Sequence, residues 1–304
     1  MNALSTEARL AGTTIWQGQK KITFGRDPAS FTMPVTDDEY RGNLEYVSST
    51  QLKSILKSPQ HFLATVHGAG KDTHALEFGR LTHMAILEPW RFEDLVLPFD
   101  GEFNRRLREC RRFIAGHPNH IVISQGKHDA ILSMRTAVRA HRFRGRPLAD
   151  WFDEAEAEKA FYFVERVTGV KCRIKVDALH PKFIFDLKST ADVLPRPFNS
   201  SVLNYSYDLS AFMYQMGVQY FTGEERPFIF VAVEKEAPYS VMVYTAGDSL
   251  LENGAQKFED ALNRLKHARK HDSWPGYAGE YVLEVNRWYE YRSNHLILCD
   301  GASG

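Results

Sequence analysis

Two short stretches carry residue types able to support metal-assisted hydrolysis. The run 170–178 alternates Val170, Cys172, Ile174, Val176 and Ala178 with Lys171, Arg173, Lys175 and Asp177, the pattern of a half-buried strand. The run 183–188 alternates Phe183, Phe185 and Leu187 with Ile184, Asp186 and Lys188. Burying both apolar rows on one side of a hairpin requires Val176 opposite Phe185 and therefore Asp177 opposite Ile184. Asp177 and Asp186 then become diagonal neighbours, about 7–8 Å apart at the backbone and within reach of one ion. A two-residue turn at Thr168-Gly169 sets Ala160 opposite Asp177 and brings Glu158 to the same face, which Lys188 shares. Acids gathered this closely repel unless a divalent cation or the lysine compensates them. Hard oxygen ligands suit magnesium or manganese rather than zinc. The same spacing also suits the solvated polar face of an edge hairpin, with Asp186 and Lys188 merely exposed.

The elements that must position these residues can be read from periodicity. Residues 158–167, 170–178 and 183–188 form a predicted three-stranded meander, with His180-Pro181 as its second turn. Upstream, Ser48 or Ser49 caps a helix carrying Leu52, Ile55, Leu56, Phe62 and Leu63, interrupted by Pro59. Another helix runs from about Thr73 to Leu87 and stops at Pro89, and two more are expected near 103–116 and 125–143. Downstream come a helix over Ser200 to Thr222, strands near 227–234 and 239–245, and a helix over 247–271. Meander, helix, strand, strand and helix indicate an α/β or α+β sheet flanked by helices. Residues 1–45 read as a leader with a short strand between Thr14 and Ile22, and the tail after about Trp274 has little periodicity.

A chain of 304 residues lies near the size at which a single core stops growing, so one large domain or one domain with an appendage is expected. Lys plus Arg equals Asp plus Glu, 38 each, and global charge gives no reason to expect nucleic acid. The distribution does: Arg105, Arg106, Arg108, Arg111 and Arg112 cluster, and Arg135, Arg139, Arg142, Arg144 and Arg146 occupy a stretch without an acid. Arg135, Arg139 and Arg142 are spaced to share one helical face, either a phosphate track or a solvated surface. Three scattered cysteines fit neither a disulfide framework nor a four-ligand zinc or iron–sulfur site. The first residues lack a secretory pattern and no apolar run approaches about 20 residues, so a cytoplasmic protein without a membrane partner is expected. No P-loop pattern is present in the sequence.

Lys175-Val176-Asp177 followed by Phe185-Asp186-Leu187-Lys188-Ser189-Thr190 resembles the D…(D/E)-x-K signature of PD-(D/E)XK nucleases. Ser49-Thr50-Gln51-Leu52 through Ser58-Pro59-Gln60-His61-Phe62 resembles the opening helix of their RecB-like branch, and Phe78-Gly79-Arg80-Leu81-Thr82-His83 its G-x-x-x-H motif. Within that branch the chain looks most like the nuclease domain of RecE-type exonuclease VIII, over about residues 38–275. The resemblance implies a restriction-endonuclease-like α/β fold: a central mixed β-sheet flanked by α-helices. It divides the chain into an arm (1–45), a nuclease domain (46–275) and a tail (276–304) that packs on the domain or at an interface. The tail's aromatic residues are Tyr277, Tyr281, Trp288, Tyr289 and Tyr291, preceded by Trp274.

The implied activity is magnesium-dependent 5′-to-3′ degradation of linear double-stranded DNA, with Mn2+ able to substitute. Its products, 3′ single-stranded tails, would serve phage or prophage recombination with a RecT-like annealing partner, and the assembly would be a homotetramer. The alternatives are a RecB-like endonuclease, a helicase-associated nuclease, or a non-catalytic DNA-binding module with the same fold. By the resemblance, His83, Asp177, Asp186 and the Leu187 carbonyl are metal ligands, Lys188 is the catalytic lysine and Glu158 an additional acid. DNA contacts fall on Ser49, Gln51, Arg80, Arg135, Arg139, Arg142, Ser189, Thr190 and Tyr214. Ser58 stands where iron–sulfur relatives carry cysteine, so no cluster is expected. Ser210 stands where relatives often carry the glutamine of a Q-x-x-x-Y motif.

Overall fold

The computed structural model describes residues 14–17, 20–68, 74–280 and 282–283. Eight strands form one sheet in the order β1 (Thr14–Gln17), β2 (Lys20–Phe24), β3 (Phe31–Thr32), β8 (Glu156–Val164), β9 (Lys171–His180), β10 (Phe183–Thr190), β11 (Phe228–Glu234) and β12 (Val241–Thr245). Every neighbouring pair is antiparallel except β10 and β11, which run parallel. Two small pairs lie apart: β4 (Val96–Phe99) with β5 (Ile121–Ser124), and β6 (Arg142–Phe143) with β7 (Arg146–Pro147).

The helices are α1 (Asp37–Gly42), α2 (Ser49–Lys57), α3 (Pro59–Val66), α4 (His74–Leu87), α5 (Pro89–Leu95), α6 (Arg108–Gly116), α7 (Gln125–Ala140), α8 (Leu148–Asp153), α9 (Pro195–Asn204), α10 (Tyr207–Thr222) and α11 (Asp248–His271). Parallel pairing of β10 and β11 demands a crossover, which α9 and α10 supply. The sheet separates two apolar cores. Leu52 and Ile55 of α2, Leu209 and Met213 of α10 and Leu262 and Leu265 of α11 bury Phe161, Cys172, Ile174, Ile184 and Phe230 on one face. Ile86 of α4, Met134 and Val138 of α7 and Trp151 of α8 bury Ala178, Phe185, Leu187 and Val231 on the other. A satellite cluster around Leu81, Phe92, Val96 and Ile131 ties α4 to α5, β4 and α7.

The local chemistry explains the element ends. Ser48 caps α2 in a capping box, its hydroxyl accepting from the Gln51 amide while the Gln51 side chain accepts from the Ser48 amide. Ser58 closes α2 and caps α3, where Pro59 occupies the first turn without losing a bond. The helix expected over 200–222 is two helices. It starts earlier, at Pro195, because proline is tolerated in a first turn, and it breaks where Ser206 adopts φ 48°. The helix expected to reach residue 143 ends at Ala140, which leaves Arg142 in β6 rather than on the face shared by Arg135 and Arg139.

The meander forms with both registers displaced by two residues from expectation. Phe185 pairs with Ala178 rather than Val176, and Ala160 pairs with Lys175 rather than Asp177. The turns are responsible. The first is a four-residue loop, closed by the Glu165 amide on the Val170 carbonyl, in which the Glu165 carboxylate accepts from the Val167 and Thr168 amides. The second is the two-residue loop 181–182 between paired His180 and Phe183. A shift of two would by itself keep every side chain on its expected face, but Cys172, Ile174 and Val176 pack in one core and Phe183, Phe185 and Leu187 in the other, so the two apolar rows do not share a side as expected.

Candidate active site

The alternation of β9 breaks at Asp177. Cys172, Ile174 and Val176 belong to one core, yet Ala178 joins the other and Leu179 returns to the first. On β8 the matching irregularity is Glu158, which has φ 53° and is skipped between the pairs Ala157–Ala178 and Lys159–Val176. A left-handed conformation at a non-glycine residue inside a strand costs on the order of 1–3 kcal/mol and persists only where its surroundings hold it. Here the two acids leave the regular ladder together.

The same point opens β9 from β10. Their pairing ends at Phe185–Ala178, and beyond it the Leu187 amide donates instead to Asp177 Oδ2 at 2.8 Å. His83 reaches this fork from α4, its Nδ1 3.5 Å from Asp177 Oδ2. Ligand atoms of His83, Glu158 and Asp177 all lie within 4.8 Å of one another. Gly79, one turn before His83, faces open space: a Cβ added there would meet no atom within 4 Å.

Asp186 and Lys188 occupy the next positions along β10. Asp186 is 4% exposed, and its Oδ2 lies 2.5 Å from Lys188 Nζ, while Lys188 Nζ stands 3.4 Å from the Leu187 carbonyl oxygen. Asp186 therefore stands against the lysine, outside the trio of His83, Glu158 and Asp177. The Leu187 carbonyl belongs to the same stretch of backbone.

Burial raises the Asp177 carboxyl to about 6, against the opposing pull of His83 and with the help of Asp186. Burial acts to lower Lys188, but the carboxylates of Asp186 and Asp177 outweigh it and hold the ammonium above its ordinary value. A carboxylate whose burial disfavours its charge, in a cluster of acids with one imidazole, is a donor set suited to a divalent cation that would compensate it. The carboxylate-rich, thiolate-free chemistry fits magnesium or manganese.

A further cation was not singled out from sequence. Lys175 places its ammonium 2.6 Å from Glu158 Oε2 and also contacts Asp37 of α1. It thereby ties the arm at residue 37 to the acid at the fork. The signal was in the sequence, since Lys175 precedes Asp177 by two in the same polar row.

The expected DNA contacts scatter. Ser49 and Gln51 are each 6% exposed, and Gln51 is engaged in the α2 cap. Tyr214 is partly buried against the core, with Ser49 hydrogen-bonded to it. Arg80 lies on α4, three residues before His83. Arg135 pairs with Glu93 at 2.9 Å and Arg139 with Asp153 at 2.7 Å, so acids distant in sequence offset the arginine run. Arg142 donates to the Gly145 carbonyl. Ser189 and Thr190 end β10, with the Thr190 hydroxyl donating to the Asp192 carbonyl. Trp274 stacks on Phe62 and Tyr277 is 77% exposed, whereas Tyr281, Trp288, Tyr289 and Tyr291 lie outside the described residues.

A sheet flanked by helices on both faces, with acids and a lysine at a strand fork, defines a restriction-endonuclease-like fold carrying a PD-(D/E)XK nuclease domain. Residues 48–284 match the family described as PDDEXK-like domain of unknown function (DUF3799), and the chain belongs to that family. It is similar in fold to a solved structure, "putative exonuclease" from Eubacterium rectale, with 17% sequence identity and a TM-score of 0.56. That similarity covers 79% of this chain and 88% of the other. Comparison with curated protein sequences gives no match. Among the described residues, no helix is long and apolar enough to cross a membrane.

Proposed function

We propose that this chain is a magnesium-dependent exodeoxyribonuclease that degrades linear double-stranded DNA from the 5′ end, with Mn2+ able to replace Mg2+. The observation that carries the reading is the convergence of His83, Glu158 and Asp177 within 4.8 Å beside the Asp186–Lys188 pair. His83, Asp177, Asp186, Glu158 and the Leu187 carbonyl would hold the ion. When bound, it supplies charge neutralisation and a more acidic water. Asp177 is fixed by the Leu187 amide, so its carboxylate needs no reorganisation to meet a cation. Lys188, held by Asp186, remains an ammonium and presents positive charge where negative charge develops on a phosphate. Lys175 holds Glu158 in place at the fork.

The 5′ polarity, the RecT-like annealing partner and a closed homotetramer are supported by the likeness to the RecE branch. Digestion of end-labelled linear duplex and closed circular DNA, each with magnesium and with chelator, tests the activity. The proposal expects loss of the linear substrate only, release of the 5′ label first, and no hydrolysis in chelator. Cutting of closed circles would favour the endonuclease alternative, and inertness with every divalent cation would favour a non-catalytic DNA-binding module. Light scattering at assay concentration tests the tetramer, and a monomer would remove it.

A further inference from the structure

Lys53 of α2 is a half-buried ammonium with no counter-ion: among the described residues it makes neither a hydrogen bond nor an ion pair. Its ammonium stands over the ring of Tyr207, whose centroid lies 5.1 Å from Lys53 Nζ. Lys188 Nζ lies 5.0 Å from the same centroid. Two ammonium groups therefore share one aromatic ring and are no more than about 10 Å apart. Lys188 has its carboxylate, Asp186, at 2.5 Å, whereas among the described residues Lys53 has none within ion-pair distance and feels Asp186 and Asp208 only from farther away. Like charges so placed repel, and the arrangement calls for an anion to stand between or beside them.

The aromatic platform continues outward. Tyr205 is 63% exposed, and its ring lies 5.6 Å from that of Tyr207 at an interplanar angle of 30°. The left-handed Ser206 between them, φ 48°, makes the turn that carries both rings. Their position is fixed from behind. Asp208, fully buried, accepts from its neighbour Leu209 N at 2.9 Å and from Lys257 at 2.8 Å, and it also contacts Asn253. Gly254 of α11 approaches so closely that a Cβ there would fall 2.2 Å from the Asp208 carbonyl oxygen. The platform is thus built before any ligand arrives, as a binding site on rigid elements should be.

We propose that Lys53, Tyr207 and Tyr205 form a nucleotide subsite next to the candidate active site, in which Lys53 takes a phosphate neighbouring the scissile one and Tyr205 stacks on its base. The assignment of the scissile position rests on the nuclease reading. Charges on one strand recur every ~3.4 Å of helix axis, so a separation of no more than about 10 Å keeps Lys53 within about three phosphates of the one that Lys188 meets. An exposed ring can stack on a base only when that base has left its pair, so the subsite suits one strand of an opened end rather than intact duplex. Burial, and next the charge of Lys188, push the Lys53 ammonium down to about 7, against the pull of Asp186 and Asp208. An arriving phosphate would favour its charged form.

The test is a titration of the full chain with a short fluorescein-labelled single-stranded oligonucleotide, followed by anisotropy in chelator so that no cleavage intervenes. Tyr205→Ala should weaken binding about tenfold and Tyr205→Trp should restore it. Lys53→Met should weaken binding as well and lower the slope of log affinity against log salt by about 0.7, the share of one phosphate on a single strand. With an abasic oligonucleotide, the Tyr205 effect should vanish while the Lys53 effect persists. Thermal melts confirm that the variants are folded. Affinities of Lys53→Met and Tyr205→Ala within about twofold of the parent protein would overturn the subsite. Normal cleavage with unchanged binding would remove the subsite alone. Absent cleavage with the expected binding pattern would remove the nuclease reading and leave the subsite standing.

Discussion

Replacement of Asp177 by asparagine should make the metal-free protein more stable, not less. The carboxyl is raised from 3.8 to about 6 by burial, so ionising it at neutral pH costs folding free energy. Linkage fixes the sign. Between those two values the folded state holds a proton that the unfolded state has released, so stability falls as pH rises through the window and stays lowered above it. At about 1.4 kcal/mol per tenfold, the full rise corresponds to at most about 3 kcal/mol at pH 7.5 and about 1 kcal/mol at pH 4.5. Asparagine carries no charge and keeps an oxygen for the Leu187 amide, which lies 2.8 Å from Asp177 Oδ2. Urea denaturation in chelator at both pH values measures the difference. A variant less stable than the parent at pH 7.5, or one whose advantage grows on acidification, would refute the reasoning.

Lys188→Ala should lose cleavage by about two to three orders of magnitude and also lose about 3 kcal/mol of stability, because it strands the buried Asp186. The double variant Asp186→Asn/Lys188→Met should recover most of that stability in urea while staying inactive; no recovery would mean that the pair is not coupled. Magnesium added at about a hundredfold over its dissociation constant should stabilise the parent by about 2.7 kcal/mol, and Asp177→Asn by much less. Calorimetric scans with and without the ion check this, and equal responses would place the ion elsewhere. Gly79→Leu should melt like the parent yet cleave at least about tenfold more slowly, since its side chain would enter the open space one turn from His83. Full activity in a steady-state assay would show that nothing approaches there.

The alternation of residues 170–190 was enough to place Asp177, Asp186 and Lys188 on neighbouring strands, because a period of two is a local property of each strand. Register was not legible. Each turn was assigned from its most turn-prone dipeptide, but Glu165 wraps the first loop with its own carboxylate and widens it by two residues. The flip of β9 at Asp177 and the left-handed Glu158 were equally hidden. Both lie at the level where β9 parts from β10, a tertiary event that no local pattern records. The partners of the arginine run were out of sight for a related reason: Glu93 and Asp153, which pair with Arg135 and Arg139, lie on other helices. Lys53 and Tyr207 were invisible as a pair, since they meet only through the crossover that carries α10 over the sheet.

The junction of β3 with β8 separates two clocks in folding. The meander over residues 156–190 closes through turns of a few residues, so the fork that holds Glu158, Asp177 and Asp186 can form by local diffusion. The pairing of Phe31 with Tyr162 instead closes a loop of some 130 residues around a strand only two residues long. Such a contact returns little ladder energy for its entropy and belongs late in assembly. Amide exchange should accordingly be slowest in the meander and β11. It should be faster in β1 to β3, whose opening would also release α1 and with it the Asp37 contact to Lys175.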